Sequence, residues 1–530
     1  MQWRARRDAV WHAFSRWSAT PVGIVTLLTL LTALSALLRW EGRHQWLWID
    51  EGLSAGISSH PVRDLPTLLR QDGSPPLYYV LLHFWMRAFG SSEEVLHAFS
   101  YVFALACVPT AWWAGRSVFG RRTAWIVALL AATNPFLTYY GREARMYTLV
   151  AFLALVATAT FLHVYALGRR RYLPVFVASV TLLLYTHNWS LFFVAGAVLA
   201  LGPCLWLRRT ERRDVVRDAL IGFGAAGALY LPWLPTLLYQ VAHTGAPWSM
   251  VPSLREAISE VDAVLGDERT LVALLLVGGA GVATIIRRHR DREIADTVAL
   301  LVLFVVPLGL SWLTSQFEPN WATRYFATIV GAVLLLAALG LARAGAQGVF
   351  ALVLILLFWT HPLGRVTGAR EDLPLAQKSN VRGVAATVAP NLRPGDLVIS
   401  THGEQIPVVR YYLGPQFRYA TATGRVADPQ IFDWRDVVDR MQAATPEKDL
   451  VPLVNAQPVG SRVLLLAPVG ELTGDRDPEW FILFHRRTDE WLRVLGEDHR
   501  LKLVQQVGRG DDPQVAGTSL YALLYEKVSP

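Results

Sequence analysis

Long apolar runs alternate with short polar segments over the first 360 residues, near 22–39, 94–118, 121–138, 147–167, 172–186, 189–207, 215–239, 269–286, 294–313, 325–342 and 346–361. A bilayer core about 30 Å thick is crossed by about 20 apolar residues in helical conformation, so these eleven runs predict eleven transmembrane helices. One further run, Leu77–Phe89, would reach only about 20 Å at about 1.5 Å per residue. It is expected to lie at the membrane surface or re-enter, and Tyr78, Tyr79, Trp85 and Phe89 suit an interface. Beyond residue 377 the pattern changes. Arg382–Leu392 and Trp480–Leu495 read as amphipathic helices, and Asp396–Ser400, Val463–Ala467 and Ser519–Lys527 as strands. Strands alternating with helices predict a small α/β layer. The expected architecture is therefore an α-helical polytopic membrane domain over 1–377, followed by an α/β domain over 378–530.

Charge distribution orients the spans. Arg4/Arg6/Arg7/Arg16, Arg116/Arg121/Arg122, Arg169/Arg170/Arg171, Arg208/Arg209/Arg212/Arg213 and Arg287/Arg288/Arg290/Arg292 share one side if Leu77–Phe89 does not cross. The other side then holds 41–93, 139–146, the turn at His187, 240–268 and 314–324. The positive-inside rule places the Arg-rich set in the cytoplasm, the N-terminus with it, and the C-terminal domain outside the cell membrane. The first run is long for a signal peptide and lacks a small-residue cleavage site before Glu41, so it is expected to be a retained span.

Composition narrows the function. Hydrophobic residues make up 53% of the 530 positions and charged residues 17%, against about 25% charged in soluble domains. The net charge of +8 sits in the membrane part, because the last 153 residues carry 18 basic and 19 acidic side chains. Basic residues interleaved with spans read as topology, and no nucleic-acid partner is expected. Cys107 and Cys204 both lie inside apolar runs, which excludes a disulfide framework and a thiolate metal site.

The candidate chemistry lies at the outer ends of the spans. Asp50 and Glu51 directly follow the first span's aromatic collar, a position that helix N-termini favour for carboxylates in any case. Asp72-Gly73-Ser74-Pro75-Pro76 fixes an extended approach to Leu77–Phe89. Between two spans, Tyr139 to Tyr147 carries Arg142, Glu143 and Arg145 among tyrosines. These are either an anion-binding set or an interfacial belt with snorkelling arginines. His187 and Arg324 occupy two further outer turns, and Arg324 runs against the positive-inside bias.

Taken in order, Trp48-Ile49-Asp50-Glu51, Pro75-Pro76-Leu77-Tyr78-Tyr79, Gly115-Arg116 with Phe119-Gly120-Arg121-Arg122, Arg142-Glu143-Ala144-Arg145-Met146-Tyr147, Leu184-Tyr185-Thr186-His187 and Arg324-Tyr325 resemble the motifs of GT-C membrane glycosyltransferases. The likeness is to the bacterial protein-mannosyltransferase and aminoarabinose-transferase group (family 39), over about residues 22–345. Ser74 stands where many relatives carry His or Lys. The resemblance implies transfer of a sugar, with inversion, from a polyprenyl-phosphate donor to an extracytoplasmic acceptor. Asp50 would be the base, and Glu51 and Glu143 companion carboxylates. Arg142, Arg145 and Arg324 would bind the donor phosphate, and Tyr78, Tyr79, Tyr147 and His187 would contact substrate. A divalent metal stays open, since dependence varies within the group. The rival readings are a transporter, for which corresponding interrupted spans are missing from the sequence, and a non-catalytic scaffold.

Overall fold

The computed structural model describes residues 16–40, 45–360, 378–469, 472, 474, 477–508 and 519–530. Arg4, Arg6, Arg7 and the domain boundary expected after position 377 fall outside the described residues. Every expected apolar run folds as helix. Seven helices are long and apolar enough to cross a membrane: Pro21–Arg39, Glu93–Val118, Tyr147–Ala166, Ser190–Leu207, Arg209–His243, Glu268–Arg287 and Asp291–Ser315. The other four runs form helices of 12 to 15 residues: Arg121–Thr133, Leu173–Leu184, Val330–Arg343 and Ala346–Thr360. Local chemistry shortens them. Asn134 ends the first and caps Pro135–Tyr140 through its side-chain oxygen, 3.0 Å from the Leu137 amide. Tyr147–Ala166 is the central helix, 89% buried, packed by Glu93–Val118, Leu173–Leu184 and Val330–Arg343. The lipid-facing helices expose Leu, Val and Phe instead.

Helix Leu77–Phe89 begins and ends on the same side of the molecule. The Leu77 amide bonds Tyr185 O at 2.8 Å. Just past its far end, Ser91 O accepts from Tyr411 of the C-terminal domain at 2.7 Å, and Glu93 pairs with Arg382 at 2.7 Å. At 13 residues it is also shorter than the seven helices long and apolar enough to cross a membrane. The Arg-rich segments gather at the opposite end, where Arg122 reaches Gly345 O at 2.7 Å, Arg169 reaches Ser117 O at 2.9 Å and Arg292 reaches Val118 O at 2.6 Å.

The C-terminal domain is a six-stranded mixed sheet in the order β3-β2-β1-β4-β6-β5. Its strands are β1 Leu397–Ser400, β2 Arg418–Thr421, β3 Gly424–Arg425, β4 Arg462–Val469, β5 Leu501–Val507 and β6 Ser519–Lys527. β1 runs parallel to β2 and β4, and the outer pairs are antiparallel. Helix Glu479–Glu497 buries Trp480, Phe484, Trp491 and Leu495 as one stripe. β2, β3 and β5 were not expected from the sequence. β5 is a largely exposed edge strand whose Leu503 and Val504 both face solvent, so it shows no alternation.

Helix Ile406–Leu413 docks this domain on the first-loop helix Ile49–Ser59. Glycine permits the approach: a Cβ at Gly52 would lie 2.5 Å from Val408 Cβ, and one at Gly56 1.8 Å from Gln430 O. A strap from the domain crosses the first loop. His60 pairs with Asp428 at 2.8 Å, Trp434 N bonds Gln71 O at 2.9 Å and Asp436 N bonds His243 O at 2.8 Å.

Candidate active site

The first-loop helix starts with Asp50 and Glu51 in its first turn. Successive residues on a helix diverge by about 100°, and these two carboxylates accordingly face different partners. Asp50 Oδ2 lies 3.7 Å from Arg145 Nε and 3.9 Å from Arg324 Nη2. Glu51 is buried. Its Oε1 meets His97 Nε2 at 2.9 Å and the Ala144 amide at 2.7 Å, and its Oε2 accepts the Trp48 amide at 3.3 Å. Burial pushes the Glu51 carboxyl up, but His97, Lys378 and the Ala144 N–H outweigh it and hold it below the ordinary glutamate value. Glu51 thus ties the first loop to a span and to the second outer loop.

Arg145 stands on that second loop. Its Nη1 donates to Ser54 Oγ at 3.2 Å, Asp50 O at 3.3 Å and Tyr79 OH at 3.4 Å. Tyr79 in turn donates to Asp72 at 3.3 Å. The Arg324 guanidinium lies over the Trp248 ring at 4.6 Å and near Tyr325 at 5.6 Å. His187 contacts the Tyr325 ring at 4.6 Å. Burial, with Arg145 and Arg324 adding, pushes His187 down to about 3, so it is a neutral ring. Its Nδ1 accepts the Trp189 amide at 3.1 Å. Four buried polar atoms of this group have no hydrogen-bond partner: Asp50 Oδ2, Arg145 Nε, Arg324 Nε and Tyr147 OH. Such atoms call for a partner that the side chains around them do not supply: water, an ion or the polar group of a ligand.

The other sequence candidates are placed apart from this set. Arg142 donates to Arg39 O and Leu38 O, both at 3.2 Å, and so caps the first span. Glu143 is buried against Lys378. Burial pushes Glu143 up despite Lys378, while Glu143, Tyr139 and Glu51 outweigh burial and raise Lys378. Tyr78 packs against Phe99, its hydroxyl 3.5 Å from Ser100 Oγ. Sequence reading missed Lys378, whose ammonium lies over Tyr139 at 4.5 Å and Trp48 at 5.6 Å. It also missed Trp248, Ser54 and His97. The only signal for Lys378 was that the chain carries just four lysines. Among the described residues no three His, Cys, Asp or Glu side chains converge to hold a metal ion.

The fold, a helical bundle bearing a small C-terminal sheet domain, is that of solved GT-C glycosyltransferases. No family model and no curated protein matches the chain, but solved structures do. ArnT from Cupriavidus metallidurans superposes with TM-score 0.58 at 13% identity, over 95% of this chain and 98% of that one. The same protein bound to undecaprenyl phosphate gives 0.55. The archaeal oligosaccharyltransferase AglB from Archaeoglobus fulgidus, in complex with an inhibitory peptide and a dolichol-phosphate, gives 0.54 at 13% identity, over 84% and 69%. The mycobacterial arabinofuranosyltransferase AftD gives 0.52 at 15% identity, over 95% of this chain and 40% of its own length. At such identities the likeness is one of fold.

Proposed function

We propose that this membrane protein is a glycosyltransferase that moves a sugar from a polyprenyl-phosphate donor to an acceptor on the extracytoplasmic face, with inversion. The observation that carries the reading is the convergence of Asp50, Arg145 and Arg324 with unsatisfied polar atoms on all three. Two solved neighbours, holding undecaprenyl phosphate and a dolichol-phosphate, support a polyprenyl phosphate as the lipid half.

Inverting transfer needs a base for the acceptor hydroxyl and positive charge for the departing phosphate. Asp50 takes the acceptor proton as the acceptor oxygen attacks the anomeric carbon. The bond from that carbon to the phosphate oxygen breaks, and Arg145 and Arg324 receive the phosphate. Both guanidiniums present unbonded Nε atoms, so each has a donor to give. Neutral His187 and Tyr147 line the same space and contribute hydrogen bonds without competing charge. Purified protein incubated with a synthetic short-chain polyprenyl-phosphate sugar and a hydroxyl acceptor should release polyprenyl phosphate. A protein that binds polyprenyl phosphate but releases none from any such donor is a scaffold or a transporter.

A further inference from the structure

A cavity lined mostly by charged residues lies at the end of the molecule opposite Asp50. Helix Glu93–Val118 joins the two: His97 touches Glu51 near its start, and Val118 lines the cavity at its end, about 30 Å away at about 1.5 Å per residue. The cavity measures about 320 Å³ and is lined by Val118, Phe119, Arg290, Asp291, Arg292, Glu293 and Asp296. Asp296 is completely buried on the spanning helix Asp291–Ser315. Neither carboxylate oxygen accepts a hydrogen bond, and the nearest cation, Arg292 Nε, stands 3.7 Å from Oδ2. Glu293 is not free in the same way: it accepts from Arg343 twice at 2.8 Å and from Arg290 at 3.0 Å. The Arg290 and Arg292 side chains are nearly half exposed beside this carboxylate.

We propose that this cavity binds a zwitterionic phospholipid headgroup, with a primary ammonium on Asp296 and the phosphate on Arg290 and Arg292. An ionisable side chain buried in a span is costly unless something compensates it. A primary ammonium supplies three N–H donors to the two unsatisfied oxygens. The two arginines at the mouth match a phosphate at headgroup depth. A quaternary choline headgroup carries the same charges but no N–H donor, so it leaves Asp296 unsatisfied. Nothing in this site touches the Asp50 cluster, and it stands whether or not the chain transfers sugar.

The test is lipid retention by the full chain, read by native mass spectrometry after exchange into nanodiscs of phosphatidylethanolamine, phosphatidylcholine or phosphatidylglycerol. Phosphatidylethanolamine should be retained about 10- to 100-fold over phosphatidylcholine, as a charge-assisted hydrogen bond requires. Asp296→Asn should abolish that preference, and Arg292→Gln should weaken retention of phosphatidylethanolamine without inverting the order. Soluble O-phosphoethanolamine, added in detergent, separates the two sources of this chemistry. Protection against unfolding by it supports the headgroup site being open to free zwitterions, and lipid retention without such protection supports a lipid-only site. Equal retention of the ethanolamine and choline lipids, a preference for phosphatidylglycerol, or an unchanged ethanolamine preference in well-folded Asp296→Asn would overturn the proposal.

Discussion

Asp50→Asn should do two opposite things: slow transfer and tighten the hold on the donor phosphate. The amide keeps the shape but cannot take a proton, and loss of a general base costs about 10²–10⁴-fold in rate. Binding moves the other way because Asp50 stands where the phosphate's cations point. Its Oδ2 is 3.7 Å from Arg145 and 3.9 Å from Arg324. At an effective dielectric of about 20, each pair is worth about 4 kcal/mol of Coulomb attraction. Water at the mouth, and the mutual repulsion of two arginines left unneutralised, reduce the recoverable part to about 1–2 kcal/mol, between exposed and buried pairs. Undecaprenyl phosphate should therefore bind about 5- to 30-fold more tightly to the variant. Transfer is followed with a short-chain donor, and binding is measured separately by displacement of a labelled polyprenyl phosphate. Weaker binding by Asp50→Asn would show that the carboxylate does not compete with phosphate for the arginines. Wild-type turnover would remove it from the chemistry altogether.

Arg145→Lys and Arg324→Lys keep the charge but lose the planar fork, so each should raise donor KM measurably; wild-type kinetics in both would put the phosphate elsewhere. Glu51→Gln should act on folding more than on rate, costing about 1–3 kcal/mol because it removes the buried carboxylate bonded to His97 and the Ala144 amide; an unchanged thermal midpoint beside lost activity would reverse that assignment. Lys378→Met leaves Glu143 as an uncompensated buried charge and should lower the midpoint, with Lys378→Met/Glu143→Gln recovering most of the loss. If the double variant is as unstable as the single one, the pair is not what Lys378 satisfies. His187 stays neutral in the fold down to about 3 while the unfolded chain takes its proton near 6.5. Stability should thus fall as pH drops from about 6.5 towards 3, and His187→Gln should flatten that fall, as unfolding curves across this window would register.

Much of the membrane architecture was legible because it follows from length and charge alone. Apolar runs marked the helices, and the Arg clusters that the charge rule assigns to one side do gather at one end of the molecule. Arg145 and Arg324 stood out because membrane topology does not favour Arg on that side, whereas Asp50, at a helix start where carboxylates are common, was picked out by the family resemblance of its motif. Side-chain direction was not legible. Arg142 and Arg145 share one motif, yet Arg142 turns to the carbonyls of Leu38 and Arg39 while Arg145 turns to Asp50. Lys378 could not be found by any local pattern, since its partner Glu143 lies 235 residues earlier.

The short helix Ile49–Ser59 shows how a few residues serve three surfaces at once. Asp50 and Ser54, four apart, form the face that meets Arg145. Glu51, one residue on, turns about 100° away to His97 and the Ala144 amide, fixing the height of the second loop and therefore of Arg145 itself. Gly52 and Gly56, again four apart, form a bare third face on which Val408 and Gln430 of the C-terminal domain sit too closely for any side chain. Displacing that domain by the width of one methyl group must move the helix, and with it the angle at which Asp50 faces the arginines. The C-terminal domain thus bears on the helix that carries Asp50 through this close packing as well as through the His60–Asp428 pair. The glycine face, invisible to any search for chemistry, is as necessary to the geometry as the carboxylate it supports.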